Sequence, residues 1–255
     1  MHAPVVGPGT GWENNLGGGP EGGPGVSPAG GNGDLRFDLR LIADMVTPGA
    51  RVLDVGCGDG ALLQYLAVTK GVDGRGIELS MAGVRAAVRR GVSVIQGNAD
   101  TDLADYPGGA FDYAILSQTL QATQRPREVL DHLLRVAAHA IVSFPNFGFW
   151  KARWHLVSKG RMPVTPGLPE EWWETPNIHF CTIKDFVALA RRMDLVIEKG
   201  VALNENGTVN RLSATGPWAN LLSAQAVFLL RRRDPKGGPV PNGGPNGGSN
   251  DGRRP

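Results

Sequence analysis

A short β-branched run, Arg51-Val52-Leu53-Asp54-Val55, passes directly into Gly56-Cys57-Gly58-Asp59-Gly60 and then into apolar residues of helical spacing over 61–69. This order of strand, glycine turn and helix constrains the fold most, because a helical crossover commits the next strand to lie parallel to the first. The alternation continues with strands at 74–79, 92–96, 111–116 and 140–144, helices at 81–90 and 126–138, and a helix at 184–193 ahead of strands at 195–201 and 224–231. Another helix is expected over 35–45, where Leu35, Leu39, Ile42, Ala43 and Val46 share one face and Thr47-Pro48-Gly49 ends it. Seven strands with helical crossovers predict an α/β, doubly wound, mostly parallel sheet covered on both faces, a Rossmann-like architecture.

Residues 1–33 and 234–255 together hold 19 of the 37 Gly and 10 of the 19 Pro, with few large apolar side chains. Such tracts cannot offset the entropy of ordering their backbone, so both ends are expected to be disordered tails around one domain at 34–233. No apolar stretch approaches the about 20 residues of a membrane span, and the N-terminus lacks the apolar core of a secretion signal. A soluble, cytoplasmic protein with no membrane contact is expected. Two cysteines, Cys57 and Cys181, in no paired ligand spacing exclude a disulfide scaffold, a zinc module or other metal site. A net charge of +2 argues against a nucleic-acid binder, with Arg231-Arg232-Arg233 and Arg253-Arg254 read as solubilising ends.

In a doubly wound sheet, ligands sit beyond the carboxyl ends of the strands where the strand order reverses, here after the first strand. Asp54 and the three glycines stand there, and Glu78 ends the second strand, placed to accept both hydroxyls of a ribose. A dinucleotide needs its third glycine three positions after the second, over a helix N-terminus that holds pyrophosphate. The pattern Gly-Cys-Gly-Asp-Gly departs from that, and the carboxylates of Asp54 and Asp59 would repel a pyrophosphate. They suit a ligand with ammonium and sulfonium centres, S-adenosylmethionine or, without the sulfonium, S-adenosylhomocysteine. A glycine turn that serves packing alone is the plainer alternative. Cys57, within the turn, reads as a small buried filler or as a thiol activated by the helix start, and Cys181 likewise reads as a filler.

From Val52 to Phe144 this arrangement resembles the class I S-adenosylmethionine-dependent methyltransferases. That resemblance implies a cofactor site built from Asp54, Gly56, Cys57, Gly58, Asp59 and Gly60, then Glu78 and Leu79, then Asn98 and Ala99, with Ser117 at the fourth strand. Adenine would lie by Gln96-Gly97-Asn98-Ala99-Asp100, where the family often has an acidic residue in place of Asn98. A narrower set of segments is Leu53-Asp54-Val55-Gly56-Cys57-Gly58-Asp59-Gly60, Ser117-Gln118-Thr119-Leu120-Gln121, Ser143-Phe144-Pro145-Asn146-Phe147-Gly148-Phe149-Trp150, Ser158-Lys159-Gly160-Arg161-Met162-Pro163-Val164 and Thr175-Pro176-Asn177-Ile178-His179-Phe180-Cys181-Thr182. Over about residues 35–230 these resemble the methionine biosynthesis family MetW. The resemblance implies a partnership with homoserine O-acyltransferase, the enzyme that activates homoserine on the route to methionine.

A methyltransferase would need an acceptor held behind the sulfonium. The fourth strand is followed by Ser117-Gln118-Thr119-Leu120, not by the Asn/Asp-Pro-Pro-aromatic pattern of amino-group methyltransferases. Gln118 and Asn146 are the candidates to orient an acceptor, and His179 either reaches the cofactor edge or ties loops together. His132 and His139 read as structural, in or just after a helix. Residues 144–180 hold 8 of the 17 aromatics and are read as an insertion over the carboxyl edge of the sheet. Trp150, Trp154, Trp172, Trp173 and Phe180 would cap the sheet, cover the methyl group or form a protein-binding patch. Two functions stay open: an S-adenosylmethionine-binding partner of the acyltransferase, or an active methyltransferase.

Overall fold

A computed structural model describes residues 35–165, 168–210, 213–216 and 218–233. Both glycine- and proline-rich ends, for which disorder is expected, lie outside the described residues. The helix α1 (Phe37–Met45) precedes β1 (Arg51–Val55), α2 (Ala61–Lys70), β2 (Asp73–Glu78), α3 (Met81–Arg89) and β3 (Ser93–Gln96). Then come β4 (Phe111–Ser117), α4 (Pro126–Val136), β5 (Ala137–Pro145), α5 (Trp150–Lys159), α6 (Ile183–Arg192), β6 (Leu195–Leu203), β7 (Val209–Asn210), α7 (Ala219–Leu222) and β8 (Gln225–Arg232). The sheet order is β3-β2-β1-β4-β5-β8-β6-β7. Strands β1 to β5 pair in parallel, whereas β8 runs antiparallel to β5 and β6. The expected doubly wound, mostly parallel sheet is therefore present, with an antiparallel end.

Strand alternation sorts the core. Leu53, Val55, Ala114, Leu116, Ala140 and Val142 pack under α4 and α6, while Val52, Ile115 and Ile141 pack under α1 and α2. A strand buried on both faces has to be apolar at nearly every position, which is why these read as continuous Val/Ile/Leu runs. Helix α4 starts at a proline, whose missing N–H costs nothing in a first turn, and buries Val129, Leu130, Leu133, Leu134 and Val136. Each such side chain contributes about 1.5–3 kcal/mol. A Thr182–Asp185 capping box opens α6.

Four expectations are corrected. The helix predicted to 138 ends at Val136, and Ala137 already pairs with Phe111 as strand. His139 lies just past that helix, within β5, stacked on Tyr113 at 5.2 Å and 3.4 Å from Glu198. An eighth strand, β7, borders β6; its two residues are too few to show a period. The aromatic segment contains a regular helix, α5. The basic run at the end of β8 is also less free than its composition implies. Arg231 pairs with Glu198, Arg232 with Asp131 and Arg233 with Asp194. Among the described residues no helix is long and apolar enough to cross a membrane.

Candidate functional site

The strand order reverses between β1 and β4, and the glycine turn leaves β1 at that point. Gly56, Gly58 and Gly60 have φ of +74°, +55° and +75°, a region that side chains with a Cβ rarely adopt. A Cβ at Gly56 would lie 2.5 Å from Thr119 Oγ1, so the turn packs directly against the segment after β4. A Cβ at Gly58 would meet nothing within 4 Å: there the bare backbone faces open space. The turn is fastened to β2, with Gly56 N–H and Cys57 N–H donating to Ile77 O at 2.8 and 3.1 Å.

Asp54 shares the strand parity of Val52 and so points toward the α1–α2 side, where it is 3% exposed. Its Oδ1 is buried and has no hydrogen-bond partner among the described residues. Burial, followed by repulsion from Glu78, pushes its pKa from 3.8 up to about 7, with Arg36 pulling the other way. Glu78 is also buried; its Oε2 accepts Gly58 N–H and its Oε1 accepts Ser80 N–H, both at 2.8 Å. Each oxygen keeps a further lone pair for a hydroxyl. Asp59 differs from the expectation that both turn carboxylates face the ligand. It pairs with Arg90 at 2.6 Å, and its Oδ1 accepts Ala61 N–H at the start of α2.

The remaining residues of the expected cofactor site surround this turn. Burial pushes the Cys57 thiol far above its ordinary value, and its Sγ fills the space that a Cβ at Gly76 would occupy. A buried thiol whose pKa is raised is not activated, so the filler reading describes Cys57. Leu79 is 60% exposed beside Glu78. Asn98 Oδ1 accepts Asp100 N–H at 2.9 Å, and Asn98 N–H donates to Asp102, which folds the loop after β3. Ala99 packs partly against the core. Ser117 Oγ lies 3.1 Å from Ser143 Oγ across the ends of β4 and β5.

Three residues at this site carry no local sequence signal. Arg36 bonds Asp38 through Nε at 3.0 Å and Nη2 at 2.7 Å, and its charge also acts on Asp54 and Asp59. Asp38, 6% exposed, accepts in turn from Gln118 Nε2 at 3.2 Å. An Arg-x-Asp at a helix start reads as a solvated face; only the docking of α1 brings it over the strand ends. Thr119 likewise becomes recognisable only once Gly56 is seen against it.

Of the acceptor-side candidates, Gln118 adopts φ +54°, an uncommon conformation for a residue with a Cβ, and donates to both Asp38 and Gln225. Asn146 is 3% exposed, with all four hydrogen-bond positions filled. Its Oδ1 accepts from Gly148 and Ile183 N–H, and its Nδ2 donates to Asn220 O and Ser223 O. Asn146→Ala is therefore expected to lower stability by about 2–4 kcal/mol, through four lost bonds and unpaired buried backbone groups. Chemical denaturation would detect this as a shifted midpoint at constant slope. His179 Nε2 lies 3.2 Å from Gln124 O, a tie between loops. Gln121, 1% exposed, holds the same loops: its Nε2 donates to Pro145 O at 3.0 Å and to Cys181 Sγ at 3.2 Å, and its backbone oxygen accepts from Ile178 and His179. Burial raises the Cys181 thiol to about 11.

Residues 36–230 match the family described as methionine biosynthesis protein MetW. The chain belongs to the MetW family. A curated relative, the bifunctional methionine biosynthesis protein MetXA/MetW of Rhodopirellula baltica, is 36% identical over 176 residues, 66% of this chain. The MetW-family chain spans only 28% of the length of that relative. Among solved structures, an S-adenosylmethionine-dependent methyltransferase from Thermotoga maritima superposes with a TM-score of 0.54 at 18% identity, covering 77% of this chain and 88% of the other. Another from Archaeoglobus fulgidus gives 0.55 at 14% identity, covering 76% and 91%. At such identities the likeness establishes the methyltransferase fold.

Of the aromatic residues in this segment of the MetW-family chain, those named for capping the sheet, covering the methyl group or forming a patch keep much of their surface exposed. Trp150, Trp154, Trp172, Trp173 and Phe180 are 40–66% exposed, whereas Phe144 and Phe149 are buried.

Proposed function

We propose that this MetW-family protein binds S-adenosylmethionine at the end of β1 and acts as a partner of homoserine O-acyltransferase in methionine biosynthesis. The observation that carries the cofactor reading is the unpartnered, buried Oδ1 of Asp54 beside the open backbone of Gly58. A buried carboxylate oxygen without a donor is costly unless something supplies one, and an ammonium group supplies it. Asp54 would receive the amino-acid end of the ligand, Glu78 the ribose hydroxyls, and the loop at Asn98-Ala99 the adenine. Arg36, whose charge acts on Asp54, would complement the carboxylate of the ligand.

The accessory reading is favoured over methyl transfer because Gln118, Asn146 and His179 are each held by other parts of the protein. Membership of the family described as methionine biosynthesis protein MetW supports this role, and the Rhodopirellula relative joins the names MetXA and MetW in one polypeptide. Binding of the ligand would bias the partner only through different affinities in the two states. Calorimetric titration of S-adenosylmethionine, with and without the acyltransferase of the same cells, tests both parts. A saturable isotherm whose dissociation constant changes several-fold on adding the enzyme is expected. Absence of heat in both titrations would discard the cofactor reading, and identical constants would discard the coupling.

A further inference from the structure

Helix α5 is amphipathic in the reverse sense. At 3.6 residues per turn, Trp150, Trp154 and Val157 fall within roughly 60° of arc, and Ala152 falls on nearly the opposite side. Ala152 is the one buried residue of this ten-residue helix, while Trp154 is 66% and Val157 80% exposed. The helix thus turns its smallest apolar side chain to the protein and its largest to solvent. Trp150 is partly held, edge-on to Phe149 at 6.0 Å and under Lys151 Nζ at 5.8 Å. Trp154 and Val157 lie one turn further out. A helix of this length gains little from propensity alone, so its outward stripe calls for a partner.

Charge narrows the choice of partner. Residues 150–161 carry Lys151, Arg153, Lys159 and Arg161 and no acidic residue. Lys151 is joined to Glu205 and Arg153 donates to Gly148 O, whereas Lys159 and Arg161 stand exposed at the C-terminal end of the stripe. A protein with an acidic rim would complement these exposed basic ends, whereas self-association of α5 would leave Lys159 and Arg161 without acidic partners on the helix itself.

We infer that the Trp150–Trp154–Val157 face of α5, with Lys159 and Arg161 at its rim, is the docking surface for the homoserine O-acyltransferase, which presents an apolar groove edged by acidic side chains. This rests on the proposed partnership. Tryptophan in the centre and basic residues at the edge is the arrangement in which few side chains carry most of an interface.

The test measures binding of the purified acyltransferase from the same organism to the full chain and to Trp154→Glu, Val157→Glu and the double variant Lys159→Glu/Arg161→Glu. All the altered side chains are exposed, so unchanged melting curves serve as the folding control. The inference predicts at least about 30-fold weaker binding for Trp154→Glu. It also predicts slower association with a flatter salt dependence for the charge reversal. If wild type and Trp154→Glu bind equally, the surface is overturned and the partnership stands. If wild type does not bind the enzyme, both are overturned. If light scattering shows a wild-type dimer that Trp154→Glu dissociates while enzyme binding persists, the face belongs to a second copy and the inference fails.

Discussion

Glu78→Gln is expected to weaken binding of S-adenosylmethionine and S-adenosylhomocysteine alike by about 100-fold, since the ribose is common to both. The carboxylate lies 7% exposed at the tip of β2, already fixed by Gly58 and Ser80 N–H groups that aim it. Hydrogen bonds to a charged group contribute about 1.5–3 kcal/mol each, and two ribose hydroxyls would lose part of theirs to an amide with one acceptor oxygen. The amide would also place an NH2 against one of the backbone donors, so the turn itself loosens. Parallel calorimetry with both ligands, alongside a thermal melt, separates the two consequences. An unchanged affinity in a folded variant would remove Glu78 from the site.

The second large effect is one of pH. Asp54 has a pKa of about 7 in the folded chain against an ordinary value of 3.8. Between those values the folded state keeps a proton that the unfolded state has released, so the free protein loses stability as pH rises through this window. The slope from this one group is at most about 1.4 kcal/mol per pH unit, and above pH about 7 the loss is complete. Ligand binding runs the opposite way. A cation favours the ionised carboxylate, so affinity for S-adenosylmethionine is expected to rise with pH by up to about tenfold per unit below about 7 and to level off there. Asp54→Asn should bind weakly and with a flat profile, and should be more stable than wild type above pH about 7. Calorimetry across this range, with denaturation midpoints measured in the same buffers, checks both signs. A wild-type affinity independent of pH would disconnect Asp54 from the ligand.

The sheet, its glycine turn and most of its helices could be read from the chain because each depends on short-range pattern. Val52 and Val55 are β-branched, and a short run apolar on both faces that ends in a glycine turn belongs in a parallel sheet. Asp54 and Glu78 could be placed at strand tips by counting from those runs. The MetW segments were recognisable because they are long and of unusual composition. Elements shorter than one period gave no such reading: β7 has two residues, and the boundary between α4 and β5 falls among alanines that suit either state.

What the sequence by itself determined was the order of strands and helices and the position of two carboxylates at the edge where their order reverses. Tertiary structure decided how those groups are used. It gave Asp59 to Arg90, left Asp54 with a bare oxygen, drew Arg36 and Asp38 over the site, and filled every bond of Asn146. It also turned the tryptophans of α5 outward. The physical reason is range: backbone preference and apolar period are settled within a few neighbours, whereas ion pairing, burial and the facing of a helix depend on chain segments tens of residues apart.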